Sequence, residues 1–366
     1  MAQHWCSFTA VRGIQAGREY YLVMFPLKLI NRLLLFDEAE VPADLRAQRL
    51  INRARIPEIK SYIVRNPTEY TFSAITASID GEVEFLPMGA SGPARNMGEL
   101  RVDMQARFLI NDGQHWRAAI EEALKERPDL GYETIAVVFF LDAGLRRSQQ
   151  MFADLKKHAV RPSRSIGVLY EHRDAMSALV RRLISQVPIF CSRVELEKTS
   201  ISNRSSKLFT LSGVYQATEA LLKHAKRSQL PDESLAAAYW QRLTELLPEW
   251  QWAVDNKISP MDLRQNYVHA HGILLHALGI VGGDLISTYP NDWEGRLEPL
   301  SGVDWQRSNK AWEGRAMIGG RMSKAQSNLA LTVAYLKEIL DLPLSSEEAH
   351  LDASYRDGFR RELTHV

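Results

Sequence analysis

Asp112-Gly113-Gln114-His115 is the stretch of this chain whose residue types most invite chemistry, and Arg117 lies two positions beyond it. Glycine lets a backbone approach a ligand closely. A helix-like pattern begins at once, with apolar Ala118, Ala119, Ala123 and Leu124 and acids at Glu121 and Glu122, and its first N–H groups can face an anion. His115 can donate to a phosphate or act as an acid or base near neutral pH, and Gln114 can bind a base edge or a ribose hydroxyl. Asp112, Gly113, Gln114, His115 and Arg117 therefore form the candidate nucleotide-binding set, with a nucleotide as the one cofactor considered and no catalytic residue assigned. The same residues also read as a plain junction: Asp112 capping a helix, Gly113 turning the chain, His115 satisfied by its surroundings. On spacing alone both readings stay open.

Strands and a helix must position this turn. Phe108-Leu109-Ile110 reads as the end of a buried strand, and "YETIAVVFFLD" as a continuous apolar strand buried on both faces. Strand, sharp polar turn, helix and strand make an α/β arrangement. Upstream, "EYYLVMFPLKLI" reads as strand, and "YTFSAITASIDGEVEFLP" as a hairpin about Asp80-Gly81. Between them, "ADLRAQRLINRARIP" looks helical to about Arg55, with Pro57 closing it. Beyond Gly144 the periodicity is mainly helical, and Asp174 sits where its charge suits a helix start. The expected fold class is α/β (α+β): a mixed-sheet, strand-rich domain over 1–145, a basic, mainly helical segment over 146–230 and a helical C-terminal domain over 231–366.

The 366 residues are long enough for a substantial core, and the apolar and charged fractions, 45% and 24%, are those of an ordinary globular protein. Apolar stretches such as Ile135 to Leu141 fall far short of the roughly 20 residues that span a bilayer. The start, "MAQHWCSFTAVRG", shows no secretory pattern, so the expected location is cytoplasmic, with no membrane partner. The two cysteines, Cys6 and Cys191, are expected to be reduced thiols. Cys191 lies beside Arg193, whose charge would favour a thiolate and make it a candidate redox handle, although free cysteine more commonly packs in a core. His269 and His276 would share a helix face with His271 pointing away, so no metal site is expected.

The net charge of +1 hides an uneven distribution. Residues 140–230 hold 16 Lys and Arg against 7 Asp and Glu, leaving 29 against 37 elsewhere. A basic segment between acidic flanks suits a polyanionic partner.

"NDGQHWRAAI" resembles the DGQHR motif of a bacterial domain family related to the ParB and sulfiredoxin fold. In "YIVRNPTEYTFSAITASIDGEVEFLP", "IAVVFFLD", "QMFADLKKHAVRPSRSIGVLYEHRD" and "VELEKTSISNRSSKLFTLSGVYQA", taken in order, the chain resembles the DndB family. The resemblance covers roughly residues 8–225 well and the C-terminal helices less distinctly. It implies a ParB/sulfiredoxin-like, mixed-sheet domain and a DNA-binding repressor of the gene cluster for DNA phosphorothioation. The partners it implies are double-stranded DNA from the promoter of that cluster and other DNA sulfur modification proteins, and a homo-oligomer is the expected state, since DNA-bound dimers are common. The fold relatives hold nucleotide phosphates at the equivalent turn, so the alternative is a nucleotide-binding or nucleotide-hydrolysing enzyme. Here the chain departs from the motif: Trp116 stands where the motif has arginine, and Arg117 points about 100° away on a helix. Lys156 stands where an asparagine is expected.

If DNA is the partner, its phosphates need cations and small hydroxyl donors on accessible segments. The candidates are Lys156, Lys157, Arg161 and Arg164 in "LKKHAVRPSRS", and Lys198, Asn203, Arg204 and Lys207 in "EKTSISNRSSKLF". The second stretch alternates cations with Ser and Thr, which suits a backbone clamp.

Overall fold

The run "EYYLVMFPLKLI" changes structure at Pro26. The computed structural model describes residues 4–34, 52–141, 155, 162–226, 228, 230–323 and 325–364, with side chains to 357. In it strand β2 spans Arg18–Pro26 and helix α1 follows at once over Leu27–Leu33. Proline lacks an N–H and has a fixed φ, so it suits a strand's last residue and the position just outside a helix. Pro57 likewise opens helix α2, Ile56–Arg65, while the helix expected ahead of it falls mostly outside the described residues.

The chain divides into two compact units, Met1–Val160 and Arg161–Val366. It is a mixed α/β protein. The first unit holds a seven-stranded sheet in the order β4-β5-β1-β2-β7-β3-β6. The remaining strands are β1, Trp5–Gln15; β3, Ile75–Asp80; β4, Val83–Pro87; β5, Met97–Asp103; β6, Arg107–Asp112; and β7, Thr134–Leu141. All neighbours are antiparallel except β3 with β7.

Strands β3 and β4 exist as expected, but they do not form a hairpin. β3 pairs with β6 and β7, and β4 pairs with β5. Only two residues join β3 to β4, a reach of about 11 Å, whereas five strand spacings of a flat sheet would be about 24 Å. The sheet must therefore curl until these ends meet. At that corner Asp103 N donates to Glu82 O at 3.0 Å, tying the end of β5 to the start of β4.

Alternation sets the core. Tyr21, Val23 and Phe25 of β2, Ile135, Val137 and Phe139 of β7, and Ile75, Ala77 and Ile79 of β3 are buried on one face. Helices α1, α2 and α3, the last spanning Gln114–Glu126, cover that face with Leu27, Ile30, Ile63, Ala119, Ile120 and Ala123. Burying each large side chain contributes about 1.5–3 kcal/mol. β7 is thus buried on one face only, contrary to the sequence expectation. Its other face carries half-exposed Ala136, Val138 and Phe140, and Phe140 stacks on Tyr20 at 5.7 Å. An antiparallel neighbour on one side permits this alternation.

In the second unit, helices α4 (Arg164–Tyr170), α5 (Ala175–Gln186) and α6 (Leu211–His224) share one core with α7 (Asp232–Leu246), α8 (Pro248–Val254), α9 (Pro260–Asn266) and α10 (Gly272–Thr288). Residues 162–226 therefore pack with those beyond 231. Asp174 caps α5 as expected, accepting from Met176 N and Ser177 N. Gly279 lets α6 and α10 touch, because a Cβ there would lie 2.1 Å from Ala217 O. The one helix expected to carry His269, His271 and His276 is broken: α9 ends at Asn266, a single turn of 3-10 helix covers Val268–Ala270, and His271 precedes α10 in extended conformation.

Candidate functional site

The turn after β6 joins four segments of the first unit. Gly113 has φ +101°, and a Cβ on it would lie 2.9 Å from Ile75 Cγ1, so only glycine fits between β6, β3 and α3. Just before it Asn111 is fully buried and donates to Ser78 Oγ at 2.7 Å. Gln114 is buried too, its amide reaching back to Asn111 O at 3.4 Å. His115 Nε2 accepts from Asn52 N at 3.1 Å, which places the ring proton on Nδ1. Arg117 donates from Nε to Leu34 O at 3.0 Å and pairs with Glu121 at 3.4 Å. Trp116 packs on Phe72 and Tyr62, and its indole N–H donates to Ser73 Oγ at 2.9 Å. The structure thus brings Asp112, Gly113, Gln114, His115 and Arg117 together, and turns the His115 and Arg117 side chains toward other parts of the chain.

The basic stretches are also brought together where they are described. Lys156, Lys157 and Arg161 lie outside the described residues. The loop 196–208 leaves and returns through a short parallel pair, β8 (Val194–Glu195) and β9 (Phe209–Thr210). Its carbonyls turn inward onto one buried guanidinium. Arg264 of α9 donates to Lys207 O, to Asn203 O at 2.9 Å, and to Ser202 O and Ser205 O at 3.1 Å each. The start of α4 is tied to the same loop: Ser163 Oγ donates to Glu197 O, and Ser165 Oγ to Lys198 O at 2.9 Å. Arg164, Lys198, Asn203 and Arg204 remain exposed around it, while Lys207 is half-buried and donates to Ser192 O at 2.8 Å.

Part of the basic charge between 140 and 230 is engaged by the fold itself. Arg181 donates to the carbonyls of Val168 and Glu171, Arg193 to those of Cys191, Ala253 and Val254, and Arg182 pairs with Glu233 at 2.7 Å. Cys191 is half-buried, and its thiol donates to Ser185 O at 3.2 Å. Both cysteines are free, and burial raises the Cys6 pKa.

Among the described residues no cluster of His, Cys, Asp and Glu is arranged to hold a metal, and no helix is long and apolar enough to cross a membrane. His269 is fully buried, stacks on Tyr267 and meets Glu249 at 3.2 Å. His271 Nε2 donates to Arg264 O at 2.8 Å, and burial pushes its pKa down to about 4. Sequence reasoning missed Arg264, because nothing in "SPMDLRQN" distinguishes an arginine that will hold a loop some 60 residues away.

Residues 8–343 match the family model described as DndB, DNA-sulfur modification-associated. No curated protein and no solved structure matches the chain.

Proposed function

The chain belongs to the DndB family, and from that membership we propose that it is a DNA-binding transcriptional regulator, a repressor of the gene cluster for DNA sulfur modification. The observation that supports this reading is the loop 196–208. With its carbonyls drawn inward onto Arg264, it presents Lys198, Asn203 and Arg204 outward beside Arg164, together with exposed Thr199 and Ser200. Among the described residues none of the three cations is paired with an acid, so their charge is free for phosphates. The partner is double-stranded DNA at the promoter of the modification cluster, bound by a homo-oligomer, with other proteins of the system as further partners.

A mobility-shift titration on that promoter tests the reading. Retardation at protein concentrations that leave unrelated DNA free is the expected result, and equal affinity for both would sink the repressor. The nucleotide-linked alternative has less support, because Arg117 and His115 are engaged with Leu34, Glu121 and Asn52. Nucleotide turnover that falls on His115→Ala would restore it.

A further inference from the structure

Beneath the basic loop lies a cavity of about 410 Å³ whose described lining holds two arginines, Arg264 and Arg307, and no acid. Arg264 is only 9% exposed. The partners of both guanidinium groups are backbone carbonyls: those of residues 202, 203, 205 and 207 for Arg264, and those of Gln265 and Gly320 for Arg307. Carbonyls satisfy N–H groups but carry no net charge, so two cations sit here without a counter-ion among the described residues. Burying a charge without an opposite charge is unfavourable, and an anion in the cavity would relieve it.

The rest of the lining narrows the class of anion. Thr199, Ser200 and Asn203 offer hydroxyl and amide groups from the loop itself, while Phe209 and Leu275 give an apolar wall. An apolar cavity of this size with a few placed polar groups is the usual form of a small-molecule site. A duplex backbone, being broad and stiff, does not reach a guanidinium as buried as Arg264, but a small molecule can. A larger cavity of about 1020 Å³ shares Thr199, Thr210, Gly213, His271 and Gly272 with this one, and its acids, Glu171, Asp174 and Glu219, lie outside the shared part.

We propose that this cavity binds a small phosphate-bearing molecule whose occupancy reshapes the loop above it. Phosphate oxygens would accept from N–H groups of Arg307 and Arg264 that the carbonyls leave over. Any shift of Arg264 toward the ligand loosens its hold on residues 202–207, and so moves Arg204 and its neighbours. This regulatory part rests on the DNA-binding reading; the binding part does not.

Calorimetric titration of the full chain with AMP, inorganic pyrophosphate and adenosine tests the binding. AMP and pyrophosphate should bind and adenosine should not. Arg307→Ala should weaken AMP at least tenfold. Gly272→Leu should block it sterically, since a Cβ at Gly272 meets no heavy atom within 4 Å and the residue lines the cavity. Arg264 is left intact in these variants because the loop hangs on it. Failure of both phosphate probes to bind, or unchanged AMP binding in both variants, overturns the site. DNA affinity measured with and without saturating AMP at matched ionic strength should differ several-fold, and no difference overturns the regulatory part. If the chain binds no DNA at all, the repressor reading fails while calorimetry alone still decides the cavity.

Discussion

Gly113 and His271 show how single residues carry this fold. At φ +101° and with Ile75 Cγ1 2.9 Å from any Cβ, Gly113→Ala combines backbone strain with a steric clash. It should cost about 1–3 kcal/mol in chemical denaturation. That glycine was legible from its place between a strand and a helix. The partners of His115 and Arg117 were not, because Asn52 and Leu34 are 63 and 83 residues away in sequence. His271 makes a prediction about pH. Burial lowers its folded pKa to about 4 from an ordinary 6.5, so the unfolded chain takes up the proton first. Its contribution is complete above pH 6.5 and is lost as pH falls from there toward 4, on the order of 3 kcal/mol in all. Burial works against the Asp284 carboxylate, but His224 and Lys337 together hold its pKa low, so its loss comes at lower pH. Denaturation midpoints of His271→Gln should therefore vary less than wild type between pH 6.5 and 4, and equal slopes would contradict the assignment.

Among the elements, the loop 196–208 and the curled sheet were unequally legible in the sequence. Strand alternation located β3, β4 and β7, but pairing partners depend on how the sheet curls, and short-range pattern does not record that. A two-residue connection that would normally close a hairpin instead links the sixth strand of the sheet order, β3, to the first, β4. For the loop, composition located the exposed cations, while the post that shapes it lies in α9. Arg264→Ala would leave four carbonyls without their donor, and should destabilise the second unit by about 2–4 kcal/mol. Arg204→Ala, on the exposed side, should leave thermal stability within about 0.5 kcal/mol of wild type. A stable Arg264→Ala would mean that β8, β9 and the Ser163 and Ser165 hydroxyls hold the loop without it.

For the whole molecule, the change from strand-like to helical periodicity marked a strand-rich part ahead of a helical one, and the family match extends from residue 8 to 343. The basic excess of residues 140–230 overstates the charge open to a ligand, since Arg181 and Arg193 are half-buried against backbone carbonyls and exposed Arg182 is paired with Glu233. Sequence charge is counted along the chain, whereas a ligand meets only what the fold leaves outside. On the proposed function, Arg164 and Arg204 face DNA phosphates. The salt dependence of promoter binding tests it most directly, because each phosphate contact adds about 0.9 to the slope of log affinity against log salt. The double variant Arg164→Ala/Arg204→Ala should lower that slope by about 2, with Lys207→Ala changing it little because its ammonium is held by Ser192 O. A slope equal to wild type in the double variant would mean that these arginines do not meet DNA phosphates.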